Sequence, residues 1–151
     1  VIIAKMNALV EPSVIDALYA ASKAGVQIDL IVRGVCALRP GVPGVSENIR
    51  VRCIIGRFLE HSRVFYFHND GAQDVYLSSA DWMGRNLFGR VETCFPLLNA
   101  QLKQRVIAEG LQPYLDDPRA WIMDADGGYQ RVPDKGLPGA QQILLEKLAE
   151  T

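Results

Sequence analysis

The chain has 151 residues, of which 49% are hydrophobic and 22% are charged, a composition typical of a globular protein with one core. Its 16 Lys and Arg residues nearly balance 17 Asp and Glu residues, so bulk charge favours neither a nucleic-acid nor an anionic-membrane partner. No apolar run approaches the ~18 residues of a membrane span. The three cysteines are far apart and lack metal-ligand spacing, which favours buried, reduced thiols.

The first third of the chain predicts a β-α-β unit. Residues 2–6 form an apolar strand, Pro12 opens a helix that ends at Gly25, and residues 28–32 form the next strand. Such a unit favours a right-handed crossover and a parallel strand pair. Glycines and prolines in residues 34–48 predict a long loop, of the kind that is often functional.

The remaining elements predict an α/β fold with a mixed sheet flanked by helices. Further strands are expected at 49–55, 62–67, 74–78 and 91–98, with a turn at 69–71 and a short helical turn around 80–85. Asn99 caps a helix of about a dozen residues. A hairpin at 121–132 and a last helix at 139–149 follow, and the apolar residues of that helix, at 143, 144, 145 and 148, are expected to pack on the domain.

Two residues near the centre of the chain suggest a phosphate site. His61 and Arg63 stand two apart at the start of a predicted strand, where both side chains would point to one face. An imidazole can manage a proton, and a guanidinium can neutralise phosphate charge. A lone surface histidine is the competing interpretation, and the pairing with Arg63 makes the two interpretations about equal.

Other candidates lie at strand ends. Arg33 follows a predicted parallel strand, and ligands of open α/β sheets bind beyond the carboxyl ends of such strands. Ser78, Ser79 and Asp81 end a strand before a predicted helical turn, and they could form an anion-binding corner or simply cap that turn. The chain has neither a GxxxxGK[ST] nor a GxGxxG motif, and no metal-ligand spacing is present.

Several segments together resemble the C-terminal part of bacterial polyphosphate kinase, the long-chain polyphosphate synthase, over about residues 1–115. The segments are Lys5-Met6-Asn7, Leu18-Tyr19-Ala20-Ala21-Ser22, Leu30-Ile31-Val32-Arg33-Gly34, Leu59-Glu60-His61-Ser62-Arg63, Val75-Tyr76-Leu77-Ser78-Ser79-Ala80-Asp81-Trp82-Met83, Arg85-Asn86 and Pro96-Leu97-Leu98. The resemblance implies a phospholipase D-like domain. It also implies that residues 1–151 are one C-terminal catalytic domain, cut from a longer chain and lacking its first strand, with residues 118–151 as a tail of hairpin and helix.

The resemblance implies reversible transfer of the ATP γ-phosphate to polyphosphate through a phosphohistidine in an upstream domain. Arg33 and His61 fall on positions that the family uses to contact ATP phosphates, so His61 is the candidate catalytic residue. Arg63 is a further phosphate-binding candidate, with Ser78, Ser79 and Asp81 in support. Magnesium is the expected cofactor, with its ligands outside this chain.

Further expectations follow from the same resemblance. The partners are ATP, ADP, polyphosphate and the upstream domains of the same polypeptide, without nucleic acid, and the intact protein is expected to be a homo-oligomer. We expect a cytoplasmic location, with peripheral association at the inner membrane face as an alternative. The chain alone is expected to be inactive.

Two alternatives stay open. One is a phosphodiesterase half-site of the phospholipase D type. Against it, Arg63 replaces the lysine of that superfamily's His-x-Lys motif, and His68 takes the place of its acid. The other alternative is a non-catalytic module that binds polyphosphate or drives assembly.

Overall fold

An eight-stranded mixed sheet organises the chain, in a computed structural model that describes residues 1–133 and 135–150. The strands are β1 (Ile2–Met6), β2 (Ile28–Val32), β3 (Ile49–Cys53), β4 (Arg63–Phe67), β5 (Asp74–Ser78), β6 (Cys94–Pro96), β7 (Trp121–Met123) and β8 (Tyr129–Arg131). Their order across the sheet is β6-β5-β4-β1-β2-β3-β7-β8. β1 and β3 pair in parallel with β2, and the other pairs are antiparallel.

Helices connect and cover these strands. They are α1 (Pro12–Lys23), α2 (Gly84–Gly89), α3 (Ala100–Val106), α4 (Gln112–Leu115) and α5 (Ala140–Ala149), and a π-helical turn (Ile107–Leu111) joins α3 to α4. The predicted α/β architecture, a mixed sheet flanked by helices, is therefore confirmed. Within the described ranges, none of the helices has the length and apolar character that a membrane span requires.

The sheet buries apolar side chains on both faces. Successive residues of a strand point to opposite faces, so an apolar strand contributes side chains to both. One cluster joins Met6, Leu30 and Val51 to Ile15 and Leu18 of α1. A second cluster joins alternate strand positions to the later helices, and its members include Ile31, Val64, Val75, Leu111, Tyr114 and Ala140. The helices therefore form layers on either side of the sheet.

Two predicted elements differ from the structure. The strand expected at 91–98 is limited to β6, three residues long. The helical turn expected around 80–85 begins only at Gly84. Trp82 accounts for this later start, because its backbone is bound to the segment after β1: its N–H donates to Ala8 O (3.2 Å) and its carbonyl accepts from Val10 N (2.9 Å).

The C-terminal segment contributes to the main sheet. The expected hairpin forms as β7 and β8, and β7 pairs with β3 and extends the sheet. The last helix forms as expected, but its apolar residues do not share one buried face. Leu144 packs against the second cluster, whereas Ile143, Leu145 and Leu148 are 39%, 51% and 42% exposed.

Candidate functional site

The sequence-predicted site residues gather at one edge of the sheet. β1 and β2 run parallel and end at this edge, where Arg33 follows β2. β4 runs antiparallel to β1, so His61 lies just before β4 at the same edge. Ser78, the last residue of β5, pairs with Arg63 of β4. The carboxyl ends of β1 and β2 thus form the edge at which open α/β sheets bind ligands.

Arg33 is held at this edge by its backbone. Its N–H donates to Met6 O (3.2 Å), and its carbonyl accepts from the Cys53 thiol (3.3 Å), whose pKa burial raises. Gly34 then approaches β1 closely: its N–H lies 2.7 Å from Asn7 O, and a Cβ at this position would lie equally close to that oxygen. The glycine lets the strands meet, while the guanidinium of Arg33 stays half-buried and, among the described residues, has no hydrogen-bond or ion-pair partner.

His61 is exposed in an irregular segment that precedes β4. Its carbonyl accepts a hydrogen bond from Arg63 Nη1 at 2.9 Å. Its imidazole makes no hydrogen bond within the described part of the chain. The ring is therefore free to meet a ligand while its backbone is fixed.

Arg63 does not stand beside the His61 ring in the way that strand spacing predicted. β4 begins only at Arg63, and the guanidinium turns to the buried carboxylate of Asp81, with Nε to Oδ1 at 3.2 Å and Nη2 to Oδ2 at 3.1 Å. Asp81 also accepts from Asn7 N–H at 2.7 Å. Asp81 and Arg63 therefore tie the ends of β1 and β4 together. Phosphate binding by Arg63 stays a prediction, and it would have to occur alongside this bidentate pair.

Ser78 and Ser79 shape the turn after β5. The Ser78 hydroxyl accepts from Ala80 N–H at 3.0 Å. The Ser79 hydroxyl donates to the Glu92 carboxylate and accepts from Thr93 N–H at 2.9 Å. Neither serine lies at a helix start, because α2 begins at Gly84. These bonds favour the structural interpretation of the two serines, and their supporting role at the site stays a prediction.

A buried lysine at this edge was not predicted as a site residue. Lys5 Nζ donates to Ser62 Oγ (2.7 Å), lies 3.6 Å from a Glu60 carboxylate oxygen and stands 4.6 Å from the centre of the Tyr114 ring. Burial lowers the pKa of Lys5, although Glu60 opposes this effect. The sequence holds a signal for this buried lysine, namely a charged residue within an apolar strand. Residues two apart share a face of the strand, so Lys5 lies on the same face as Ile3, which packs on the second cluster.

Glu60 connects this lysine to the helices. The Tyr114 hydroxyl donates to its carboxylate, and burial together with this bond raises the pKa of Tyr114. Gln141 Nε2 donates to the other carboxylate oxygen at 2.9 Å. Glu60 and Arg33 line the same small cleft, with Lys5 beside them. The segment that carries His61 therefore meets Arg33 across this cleft.

The other histidine is remote from this arrangement. His68 follows the far end of β4, and its Nδ1 lies 3.1 Å from the Tyr66 hydroxyl. It therefore does not join His61 at the site.

The described residues do not fit a metal site. No group of three or more His, Cys, Asp or Glu side chains within residues 1–133 and 135–150 is arranged to hold a metal ion. The two carboxylates at the edge, Glu60 and Asp81, are both bound to neighbouring side chains.

The chain is similar to named proteins over nearly its whole length. A family model described as "Polyphosphate kinase C-terminal domain 2" matches residues 1–141. A protein named "Polyphosphate kinase" from Burkholderia ambifaria (strain MC40-6) is 65% identical over 148 residues, and one from Burkholderia multivorans (strain ATCC 17616 / 249) is 70% identical over 148 residues. Each match covers 97% of this chain and 22% of the relative. The chain thus spans between a fifth and a quarter of the length of these relatives.

Solved structures share the fold. The "Crystal Structure of Polyphosphate Kinase from Porphyromonas Gingivalis" matches with a TM-score of 0.91 and 41% identity, over 99% of this chain and 23% of that one. "NucT from Helicobacter pylori" matches with a TM-score of 0.54 and 10% identity, over 71% of this chain and 74% of that one. The first match confirms the fold that the sequence resemblance implied, and the second concerns the fold alone.

Proposed function

Because the chain belongs to the polyphosphate kinase C-terminal domain family, we propose that it supplies half of the catalytic centre of an ATP:polyphosphate phosphotransferase. The observation that carries this proposal is the pair Arg33 and His61. Both lie at the edge formed by the carboxyl ends of β1 and β2. Within the described ranges, the guanidinium of Arg33 and the imidazole of His61 make no hydrogen bond, whereas the side chains of neighbouring Arg63 and Lys5 do. An unpaired guanidinium and an exposed imidazole at such an edge suit a phosphate ligand.

The reaction has two steps in this proposal. The γ-phosphoryl group leaves ATP and bonds to a histidine nitrogen in an upstream domain, which releases ADP. The terminal oxygen of a polyphosphate chain then attacks that phosphorus, the P–N bond breaks, and the chain is one phosphate longer. Both steps are reversible, so ADP and polyphosphate can return ATP.

Arg33 is the proposed phosphate clamp. Its planar guanidinium can bind two phosphate oxygens at once and neutralise the charge that spreads over the equatorial oxygens in the transition state. The hydrogen bonds of its backbone with Met6 and Cys53 fix the position of the Cα atom from which the side chain extends. This preorganisation lowers the cost of aligning the clamp at the moment of transfer.

His61 is the proposed assisting residue, opposite the phosphohistidine. Histidine can donate a hydrogen bond or a proton near neutral pH, and here it would do so to the leaving phosphate oxygen. Arg63 would add positive charge behind it, and Ser78, Ser79 and Asp81 would shape the surrounding backbone. Phosphate on the other side of the transfer would be held by residues outside this chain.

The remaining features of the proposal concern the whole protein. Magnesium would neutralise phosphate charge, and its ligands would come from outside this chain. We also propose a cytoplasmic homo-oligomer that acts on ATP, ADP and polyphosphate, with peripheral membrane association as an alternative location.

Replacing His61 in the full-length enzyme tests the proposal. His61→Ala is expected to lower kcat at least about 100-fold, because assistance by a positioned acid or base is worth roughly that much. His68→Ala is the matched control: it removes the other histidine, at the far end of β4, and should leave kcat unchanged. Polyphosphate synthesis from ATP is the measurement. Near-normal turnover in His61→Ala would remove His61 from the mechanism.

A further inference from the structure

We propose that Gln141, at the start of α5, is a positioning residue that holds the segment carrying His61 in its working place. This inference rests on the proposed function, since it assigns a task at the same site. Gln141 side-chain Oε1 accepts from Phe58 N–H at 2.8 Å, and Nε2 donates to Phe58 O and to the Glu60 carboxylate, both at 2.9 Å. One side chain therefore binds both backbone polar groups of Phe58, as a neighbouring strand would, and reaches the residue next to His61.

The segment needs such a partner. Residues 54–62 lie between β3 and β4 without regular secondary structure. Ile54 is buried in the second cluster at the start of this segment, but the apolar side chains that follow it do not anchor the chain, because Ile55, Phe58 and Leu59 are 72%, 47% and 72% exposed. The path of this backbone must therefore be set by polar contacts rather than by burial.

Gly56 is fitted to the same contact. A Cβ at this position would lie 2.7 Å from the amide carbon of Gln141, closer than real Cβ atoms approach. The absence of a side chain is what allows the glutamine to lie against the segment. The segment and the helix are therefore matched at two separate positions, Gly56 and Phe58.

The helix end that carries Gln141 is itself fixed. Ala140 is fully buried, and its N–H donates to the Asp117 carboxylate at 2.8 Å. The same carboxylate accepts from Arg119 N–H at 2.7 Å. Because Asp117 anchors the first turn of α5, Gln141 is presented to the segment from a rigid base.

The constraint extends to both neighbours of His61. Glu60 is bound by Gln141 and by the Tyr114 hydroxyl, and Ser62 accepts a hydrogen bond from Lys5 at 2.7 Å. The imidazole between them stays exposed. The sequence left the role of α5 open, and this contact gives it one: α5 fixes the backbone that carries the exposed imidazole of His61.

The test uses the full-length enzyme with Gln141→Ala and Gln141→Glu. The second change is isosteric and keeps an acceptor for Phe58 N–H, but it loses both donors and adds a charge beside Glu60. We expect kcat to fall about tenfold or more in both variants, because small misplacements of a catalytic group are costly, while the KM for ATP stays within about twofold since Arg33 is untouched. Gln142→Ala is the matched control on the same helix, since within the described part of the chain the Gln142 side chain bonds only to Glu146 of its own helix, and it should behave as wild type.

A double variant separates positioning from general weakening of the fold. If Gln141 acts through His61, adding Gln141→Ala to His61→Ala should cause little further loss of kcat. Unchanged kcat in Gln141→Ala, or losses that multiply fully in the double variant, would overturn the inference. If His61→Ala alone is near normal, the proposed function fails instead, so the two failures are distinguishable.

Discussion

At the residue scale, the candidate site combines side chains that satisfy each other with side chains that are left free. Asp81 and Arg63 form a bidentate pair, and Lys5 is enclosed by Glu60, Ser62 and the Tyr114 ring. A buried charge without a partner is costly, so such pairs must be complete before a ligand arrives. A phosphate bound at this edge, as we propose, would then meet a cation that lacks a partner, and among the described residues Arg33 meets that condition.

The pair of Asp81 and Arg63 makes a stability prediction. Asp81→Ala leaves the Arg63 guanidinium and the Asn7 N–H without this acceptor, at a position where the Asp81 side chain is 9% exposed. We expect the free energy of unfolding to fall by about 3 kcal/mol. Chemical denaturation followed by circular dichroism measures the change.

A surface ion pair in the same sheet is the control for this prediction. Arg50 pairs with Asp29 at 3.0 Å, but its side chain is 59% exposed, so solvent screens the interaction. Arg50→Ala is expected to cost less than about 1 kcal/mol. If Asp81→Ala and Arg50→Ala lowered the free energy of unfolding equally, the buried pair would contribute no more to stability than the exposed pair.

Residues of the site could be predicted where their signal is local. Arg33 directly follows an apolar strand and His61 precedes another, so both could be placed from the sequence. Gln141 could not be found in this way, because its partner Phe58 is 83 positions away and the contact runs through a side chain. The role of Arg63 differed for the same reason, since Asp81 lies 18 positions further on.

At the element scale, the sequence predicted the regular elements better than their ends. The β-α-β unit formed as expected, because its strands are apolar and its helix carries Pro12 at the start and Gly25, with a φ of 92°, just past the end. The strand at 91–98 shrank to three residues. β6 is an edge strand of the sheet, so its backbone is hydrogen-bonded to one neighbouring strand instead of two.

The turn between β7 and β8 allows a test at this scale. Asp124 Oδ1 accepts from Asp126 N–H at 3.0 Å and from Gly128 N–H at 2.9 Å, so its side chain closes the turn. We expect Asp124→Ala to lower the free energy of unfolding by about 1 kcal/mol, because two backbone donors lose a charged acceptor. Thermal or chemical denaturation gives the value.

Asp126→Ala in the same turn is the comparison variant. It removes an equal charge but keeps the backbone N–H that binds Asp124. We expect its effect to stay within about 0.5 kcal/mol. If both variants were equally destabilised, the loss would come from charge rather than from the turn contacts.

At the scale of the whole molecule, the first and last thirds of the chain depend on each other. β7 and β8 extend the sheet beside β3, and α5 places Ala140 and Leu144 in the cluster that includes Ile31 of β2. Sequence alone could not predict this union. The short strands β7 and β8 contain exposed residues such as Trp121 and Ile122, and the pairing with β3 involves two residue pairs. The C-terminal segment is thus a structural support of the candidate site.

This interdependence predicts how the 151-residue chain behaves when it is produced alone. We expect a single cooperative unfolding transition, because both apolar clusters share the strands of one sheet. We also expect no polyphosphate synthesis from ATP, since the proposed phosphohistidine belongs to a preceding domain and the relatives are more than four times as long. Denaturation followed by circular dichroism tests the first expectation, and a polyphosphate assay with a full-length enzyme as positive control tests the second. Two separate transitions would contradict the mutual support of the two thirds, and polyphosphate formed by the chain alone would contradict the location of the phosphohistidine.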